Sequence, residues 1–372
     1  MHAGGSERVA VNLACGLARR GHESWVLAIT RPAQSDCARD GLLREMAAAS
    51  VRVVEFDGTS LRRGCFTGAL RLVRLCRSIR PDIVHAHSDH ADLAVGLASR
   101  ITRSNSARTI HSAGLWKTHW WAGKVAESAL REDLVVCISK ASQRAYAEVR
   151  RRYGLHQSEH EVLITNGIPI DETADRLDRA AVVRMVGADP GRLLLCFAGR
   201  FVHEKGFDVL ISAMEQLSAS SLSRLEVHAF GQGRELNKYI ARVQERDLPI
   251  YFHPPAHRIS RIFSGFDAVV VPSRCEGLGL VAIESLAAGV PLIATMAPGL
   301  DEVLPPGWPL SVPPDDPGAL SATLTEFATE RYDTHDLGRR AVAWINHRFD
   351  LEPMVAAYEA AYRSFLECRY PE

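Results

Sequence analysis

From one end of this chain to the other, short continuous apolar runs alternate with longer segments of helical period. Runs such as Leu193-Leu194-Leu195 and Val269-Val270-Val271 carry no polar alternation. A strand with one wet face alternates, whereas a strand covered by helices on both faces reads as an unbroken Val/Ile/Leu block. The rhythm therefore predicts an α/β protein with doubly wound parallel sheets. Expected strands are Ser24–Ile29, Val51–Phe56, Asp82–Ala86, Ala107–Ile110, Leu134–Ile138 and Glu161–Ile164, then Leu193–Ala198, Leu225–Phe230, Ile250–His253, Ala268–Val271 and Pro291–Ala294. Helical stretches lie between them. Ser6–Arg20 sets Val9, Leu13 and Leu17 on one face and stops at Gly21, and Leu351–Glu367 sets Met354, Ala357, Tyr358, Ala361, Tyr362 and Phe365 on one face.

The βαβ rhythm runs twice, and 372 residues exceed what one core normally holds. Two domains follow, with the hinge near Thr165-Asn166-Gly167-Ile168-Pro169, where turn chemistry separates the two series. The expected division is an N-terminal domain over residues 1–170, joined by the C-terminal helix 351–372, and a second domain over 171–350. Charge supports the split: 24 Lys+Arg face 16 Asp+Glu in residues 1–170, and 20 face 28 in the rest. Over the whole chain 44 basic and 44 acidic residues balance, which excludes a nucleic-acid partner held by bulk charge. The eight cysteines form no CxxC pair and no Cys/His cluster, so neither a zinc knuckle nor a disulfide framework is expected. No signal-like segment opens the chain and no run of about 18 apolar residues occurs, so the expected location is the cytoplasm.

Two loops carry the chemistry. In Pro272-Ser273-Arg274-Cys275-Glu276-Gly277-Leu278-Gly279-Leu280 a buried strand ends, a glycine-rich loop follows, and a helix begins near Gly279 and stops at Gly289. Open parallel sheets bind ligands outside the carboxyl ends of their strands, and a helix start with free N–H groups favours phosphate. Glu276 and Glu284 stand eight residues apart, about 12 Å if the span were all helix, close to the sugar-to-sugar distance across a diphosphate. That pattern suggests a nucleotide sugar with one glutamate on each sugar's hydroxyls; the plainer reading makes Glu276 a helix cap and Glu284 a solvated side chain. Gly199-Arg200-Phe201-Val202-His203-Glu204-Lys205-Gly206 likewise follows a buried strand and opens a helix. Arg200 and Lys205 there complete an anion clamp for the diphosphate.

With these residues in view, the sequence resembles the retaining glycosyltransferases of family 4 over essentially its whole length. The resemblance rests on Gly4-Gly5-Ser6-Glu7-Arg8, Thr109-Ile110-His111, Ile164-Thr165-Asn166-Gly167-Ile168, Gly199-Arg200 through Lys205-Gly206, Gly231-Gln232-Gly233, and the E-x7-E motif from Glu276 to Glu284 with its Ala-Ala-Gly-Val-Pro tail. It implies the GT-B fold, two facing Rossmann-like domains with a cleft between them, and transfer of a sugar from a nucleotide-diphosphate donor. By the same resemblance Arg200 and Lys205 hold the diphosphate, Glu284 the ribose hydroxyls and Glu276 the transferred sugar. The backbone at Leu278, Gly279 and Leu280 approaches the sugar and β-phosphate, Gly4 and Gly5 close over the phosphate, and His111 stands near the reacting carbon. The departing phosphate takes the acceptor's proton on the same face. Because two cations already neutralise the leaving group, no metal and no cofactor is expected.

Other residues divide between a functional and a plain reading. Trp116, His119, Trp120 and Trp121 suit an acceptor platform of sugar or lipid, or else pack the next helix. His85, His87 and His90 straddle a strand end without an evident fourth metal ligand. Arg71, Arg74 and Arg77, like Arg150-Arg151-Arg152, read as solvated helix faces or as a patch for an anionic membrane surface. The acceptor stays open among sugar, lipid-linked and small-molecule hydroxyls. The rival readings are a non-catalytic nucleotide-sugar-binding protein and a sugar-nucleotide epimerase of the same fold. Finally, the family normally leads a buried strand into the glycine pair, whereas only Met1, His2 and Ala3 precede Gly4 here. The expectation is that Ser24–Ile29 and Asp82–Ala86 lie with unpaired edges, and that the natural protein begins upstream or that this chain is a fragment.

Overall fold

The structure, a computed structural model, describes residues 4–28, 37–55, 61–111, 120–130, 133–170, 176–256, 258–329, 331–346 and 348–370. The chain divides into two compact units, Met1–Gly167 with Leu351–Glu372, and Ile168–Asp350. The first unit runs α1 (Gly5–Arg19), β1 (Trp25–Ala28), α2 (Cys37–Ala48), β2 (Arg52–Glu55), α3 (Leu61–Ile79), β3 (Ile83–Ala86), α4 (Asp89–Thr102), β4 (Asn105–Ile110), α5 (Trp120–Ala129), β5 (Leu134–Cys137), α6 (Lys140–Arg152) and β6 (Glu161–Leu163). The second holds α7 (Arg179–Val186), β7 (Leu193–Ala198), α8 (Phe207–Glu215), α9 (Ala219–Leu222), β8 (Leu225–Phe230), α10 (Leu236–Glu245), β9 (Ile250–His253), α11 (Ser260–Phe263), β10 (Ala268–Val271), α12 (Leu280–Ala287), β11 (Leu292–Thr295), β12 (Ser311–Val312), α13 (Pro317–Ala328) and α14 (Thr334–Ile345). A last helix, α15 (Leu351–Arg369), returns to the first unit.

The second unit is one parallel sheet in the order β12-β11-β10-β7-β8-β9. From β7 the chain steps outward to β8 and β9, then returns to β10 on the other side of β7. The two crossover series therefore diverge between β7 and β10, the switch point at which open α/β sheets leave a crevice. Its strands β8, β10 and β11 are buried along their whole length, as continuous apolar runs require. Aspartates cap α7, α13 and α14: Asp178 Oδ1 accepts from Ala181 N at 2.7 Å, Asp316 Oδ1 from Ala319 N at 2.8 Å, and Asp333 Oδ1 from Asp336 N at 2.9 Å. The two-residue β12 has no counterpart among the expected strands.

The first unit's sheet is divided. β1 pairs with β2, a separate ladder runs β3-β4-β5-β6, and all pairs are parallel. Among the described residues β1 meets β2 alone and β3 meets β4 alone, so each keeps one edge without a described partner. Unpaired edges were expected at these two strands. Burial follows: β4 and β5 are buried throughout, whereas Trp25, Val26 and Leu27 of β1 and Ile83, Val84 and His85 of β3 are only half-buried. One helix links the two pieces, since Leu27 and Val84 both pack against the cluster that contains Leu72, Val73 and Cys76 of α3.

Helix α15 belongs to this unit by contact. Gly16 of α1 lets it approach, because a Cβ there would lie 2.5 Å from Val355 Cγ2. The interior also holds a charged cluster. Arg108 Nη1 donates to Glu127 Oε1 at 2.8 Å and its Nη2 to Asp92 Oδ2 at 2.6 Å, while Arg150 donates to the Glu127 carbonyl at 2.7 Å. Arg108, Asp92, Glu127 and Arg150 are all buried, with Tyr146 between the two guanidiniums. This corrects the reading of Arg150-Arg151-Arg152 as one solvated face. Arg151 and Arg152 are exposed, but Arg150 turns inward to neutralise Glu127.

Candidate functional site

In the second unit the two loops of interest leave β7 and β10, on either side of the switch point. They touch. Gly206, at φ +63°, closes the 3-10 turn His203–Lys205, and a Cβ on it would lie 1.9 Å from the Pro272 carbonyl oxygen. Only glycine serves both the left-handed backbone and that approach. The contact brings Lys205 to Glu276 across 71 residues of sequence: Lys205 Nζ donates to both carboxylate oxygens at 2.7 Å. Ser273, itself buried, adds a third hydrogen bond to Glu276 Oε1 at 2.7 Å, and the Ser273 carbonyl accepts from Thr295 Oγ1 at 2.5 Å.

Glu276 is thus a carboxylate held by three hydrogen bonds from two residues, with its side chain 9% exposed. It is not a helix cap. Helix α12 begins at Leu280 behind Gly279, which sits at φ +80° without a side-chain capping bond. The span from Glu276 to Glu284 is therefore half loop and half helix, and the 12 Å helical separation does not apply. Glu284 lies on α12, half-buried, and Leu278 is buried beneath the loop. Arg200 is exposed just past β7. Sequence reasoning missed three supporting residues, Ser273, Arg274 and Asp208. Arg274 pairs with Asp208 through two 2.8 Å bonds. Ser273 and Arg274 stood inside the quoted motif, but nothing in spacing tells a bracing arginine from a solvated one.

In the first unit His111 follows the end of β4, and its Nε2 lies 3.1 Å from Nδ1 of His87, just beyond β3. His87 stacks on His85 at 4.2 Å between ring centroids. Burial depresses all three, and neighbouring imidazoles add to it at His85 and His111: His87 falls to about 4, and His85 and His111 lie well below the ordinary value. At neutral pH these are uncharged rings, and one proton bridges His87 and His111. Both His85 nitrogens are engaged, Nδ1 with the Tyr362 hydroxyl and Nε2 with Thr109 Oγ1 at 2.8 Å. Gly4 and Gly5 open α1, where the Glu7 carboxylate folds back over Gly4. Trp120 and Trp121 begin α5, edge to face at 4.3 Å and exposed, Trp121 by 72%. Trp116 and His119 lie outside the described residues. The guanidinium-bearing residues Arg71, Arg74 and Arg77 are exposed on α3. No helix among the described residues is long and apolar enough to cross a membrane.

Two family models match the chain in succession: glycosyltransferase family 4 over residues 3–172 and glycosyl transferases group 1 over residues 178–344. Among curated relatives, D-inositol 3-phosphate glycosyltransferase of Geodermatophilus obscurus is 28% identical over 214 residues, 54% of this chain and 47% of that protein. The chain spans about half the length of the inositol-phosphate enzymes it matches first. The 2-deoxystreptamine N-acetyl-D-glucosaminyltransferase of Streptomyces fradiae is 26% identical over 352 residues, covering 88% of this chain and 83% of its own. Among solved structures, Anabaena HepE with UDP and glucose superposes with a TM-score of 0.81 at 18% identity, over 98% of this chain and 97% of that one. A sucrose-phosphate synthase from Thermosynechococcus elongatus gives 0.79 at 19% identity, over 98% and 94%. With two Rossmann-like parallel sheets of the GT-B class and family models matched in both units, the chain belongs to the group 1 glycosyltransferases.

Proposed function

We propose that the protein transfers a sugar from a nucleoside-diphosphate sugar to an acceptor hydroxyl with retention of anomeric configuration, without a metal. The observation that carries this reading is the Lys205–Glu276 pair at the switch point of the second unit, a cation and a carboxylate fixed against each other beside a helix start. Breaking the bond from sugar to diphosphate puts negative charge on the leaving oxygen and oxocarbenium character on the sugar. Lys205, Arg200 and the first amides of α12 meet the first. Positioned before the reaction, they need no reorganisation when the charge develops. Glu276 takes hydroxyls of the transferred sugar and Glu284 those of the ribose, with the backbone of Leu278, Gly279 and Leu280 against the sugar and β-phosphate.

In the other unit, Gly4 and Gly5 and the neutral His111 are the residues that the family resemblance assigns to the donor. The exposed Trp120 and Trp121 present aromatic faces that suit an acceptor sugar or lipid. The exposed arginines of α3 suit an acceptor at an anionic membrane surface on the cytoplasmic side. UDP-sugars come first as donors, because HepE was solved with UDP and with UDP-glucose.

The test is nucleotide release from UDP-, GDP- and ADP-sugars, in a strong chelator, followed by proton NMR of the new linkage. Release in chelator with the donor's anomeric configuration in the product is the expected result. An inverted product refutes retention, loss of activity restored by magnesium or manganese refutes metal independence, and binding without release makes the protein a nucleotide-sugar-binding module.

A further inference from the structure

We propose that Arg274 is a positioning residue that holds Lys205 and Glu276 in register; this rests on the donor-site reading of those two residues. Arg274 stands two residues before Glu276, and its guanidinium crosses to the other loop. There Nη1 donates to the His203 carbonyl at 2.6 Å, two residues before Lys205. The same fork grips Asp208 in the first turn of α8, Nη1 on Oδ1 and Nη2 on Oδ2, each at 2.8 Å. Nε reaches Asp315 Oδ1 at 2.5 Å, ahead of α13. The Arg274 main chain joins in, its N–H donating to the Glu204 carbonyl at 2.9 Å.

One residue therefore clasps the 3-10 turn that carries Lys205 by side chain and backbone together, while Gly206 meets the Pro272 carbonyl behind it. The Arg274 side chain is 16% exposed, and the pairing is strong enough to reverse the local electrostatics. Burial alone would raise the Asp208 carboxyl, yet the guanidinium holds it below the ordinary carboxylate value.

The geometry needs arginine. Four acceptor contacts in three directions match a planar guanidinium with five N–H groups; an ammonium has three and no fork. A lysine at this position keeps the positive charge but leaves the His203 carbonyl or one Asp208 oxygen unmet. The 3-10 turn then loses its tie to the β10 loop, and Lys205 loses its aim at Glu276. Arg274 does not touch the donor in this account; it acts through Lys205.

The experiment has two arms on the full chain, using Arg274→Lys and, as an independent cut at the other end of the clasp, Asp208→Asn. Native-state hydrogen exchange reads the brace without any ligand. The amides of Lys205, Gly206 and Arg274 should exchange about tenfold or more faster in both variants, roughly the loss of one charge-assisted hydrogen bond, while those of β8 stay unchanged. Unchanged exchange at the three amides overturns the proposal, as does equal acceleration in β8, which would mean general loosening. Calorimetric titration with UDP reads the consequence. Arg274→Lys should weaken binding about tenfold in the wild-type background and less than about threefold when Lys205 is already alanine, the non-additivity of a residue that works through another. Full additivity overturns it. If wild-type protein does not bind UDP, or Lys205→Ala binds it as well as wild type, the donor-site reading fails on that arm while exchange still decides the brace.

Discussion

Removing Lys205 should do more than delete one contact, because it uncovers a carboxylate. Glu276 lies 2.7 Å from the ammonium, and a phosphate oxygen bound on the far side of Lys205 would sit at a similar distance. Carboxylate and phosphate would then be about 5.5 Å apart, a repulsion of about 3 kcal/mol at an effective dielectric constant near 20. The quarter exposure of the Lys205 side chain reduces this to about 2 kcal/mol. The lost charge-assisted hydrogen bond adds about 2 kcal/mol. Lys205→Ala should therefore weaken UDP about a thousandfold. Adding Glu276→Gln removes the repulsion but keeps the shape and the hydrogen bond from Ser273, so the double variant should recover about thirtyfold. UDP is the right probe because it lacks the transferred sugar, whose contact with Glu276 would confuse the result. Calorimetric titration of the four proteins at one ionic strength decides it. If the double variant binds UDP no better than Lys205→Ala, the ammonium is not standing between Glu276 and the diphosphate, and the site reading is wrong.

The buried cluster of the first unit makes a stability prediction. Glu127→Ala removes the carboxylate that Arg108 and Arg150 share and should cost about 3 to 5 kcal/mol, seen as a lower denaturation midpoint; a change under about 1 kcal/mol would show that the cluster is solvated. The second unit makes a pH prediction. Burial first, and His253 second, lower His228 to about 4 in the folded protein, so the unfolded chain binds the extra proton below pH 6.5. The stability this group contributes is complete above about pH 6.5 and is lost progressively toward about pH 4. Thermal melts across that window should fall, and His228→Phe, which keeps a ring against Tyr251 and Phe266, should flatten the fall; an unaltered slope would place the titration elsewhere.

What the sequence disclosed and what it hid divide along a physical line. Leu193–Ala198, Leu225–Phe230, Ile250–His253 and Ala268–Val271 stand where expected, residue for residue, because a strand buried on both faces has nothing but apolar side chains to show. β12 escaped because two residues make no pattern. The two loops were legible as strand–glycine–helix junctions. Their meeting was not, since the Lys205–Glu276 pair joins residues 71 apart through the parallel pairing of β7 with β10. Periodicity cannot see a charge that points inward: Arg150 and Glu127 on helices and Arg108 on β4 look like surface residues until those elements are packed. Arg274 was hidden for the same reason, since its four acceptors come from three separate segments.

The divided sheet of the first unit makes protein concentration a test of how its edges are used. Among the described residues β1 and β3 each keep an edge that meets no strand, and their sequences, Trp-Val-Leu-Ala and Ile-Val-His-Ala, carry neither the charged side chains nor the prolines that usually blunt such borders. An extended segment that paired with both would join six strands into seven. A segment that binds the folded form and not the unfolded one stabilises in proportion to the logarithm of its concentration. Complementation by a separate peptide, and self-association when no peptide is present, are then two readings of the same titration. A melting midpoint that climbs with protein concentration would report the second; one that climbs only with added strand would report the first.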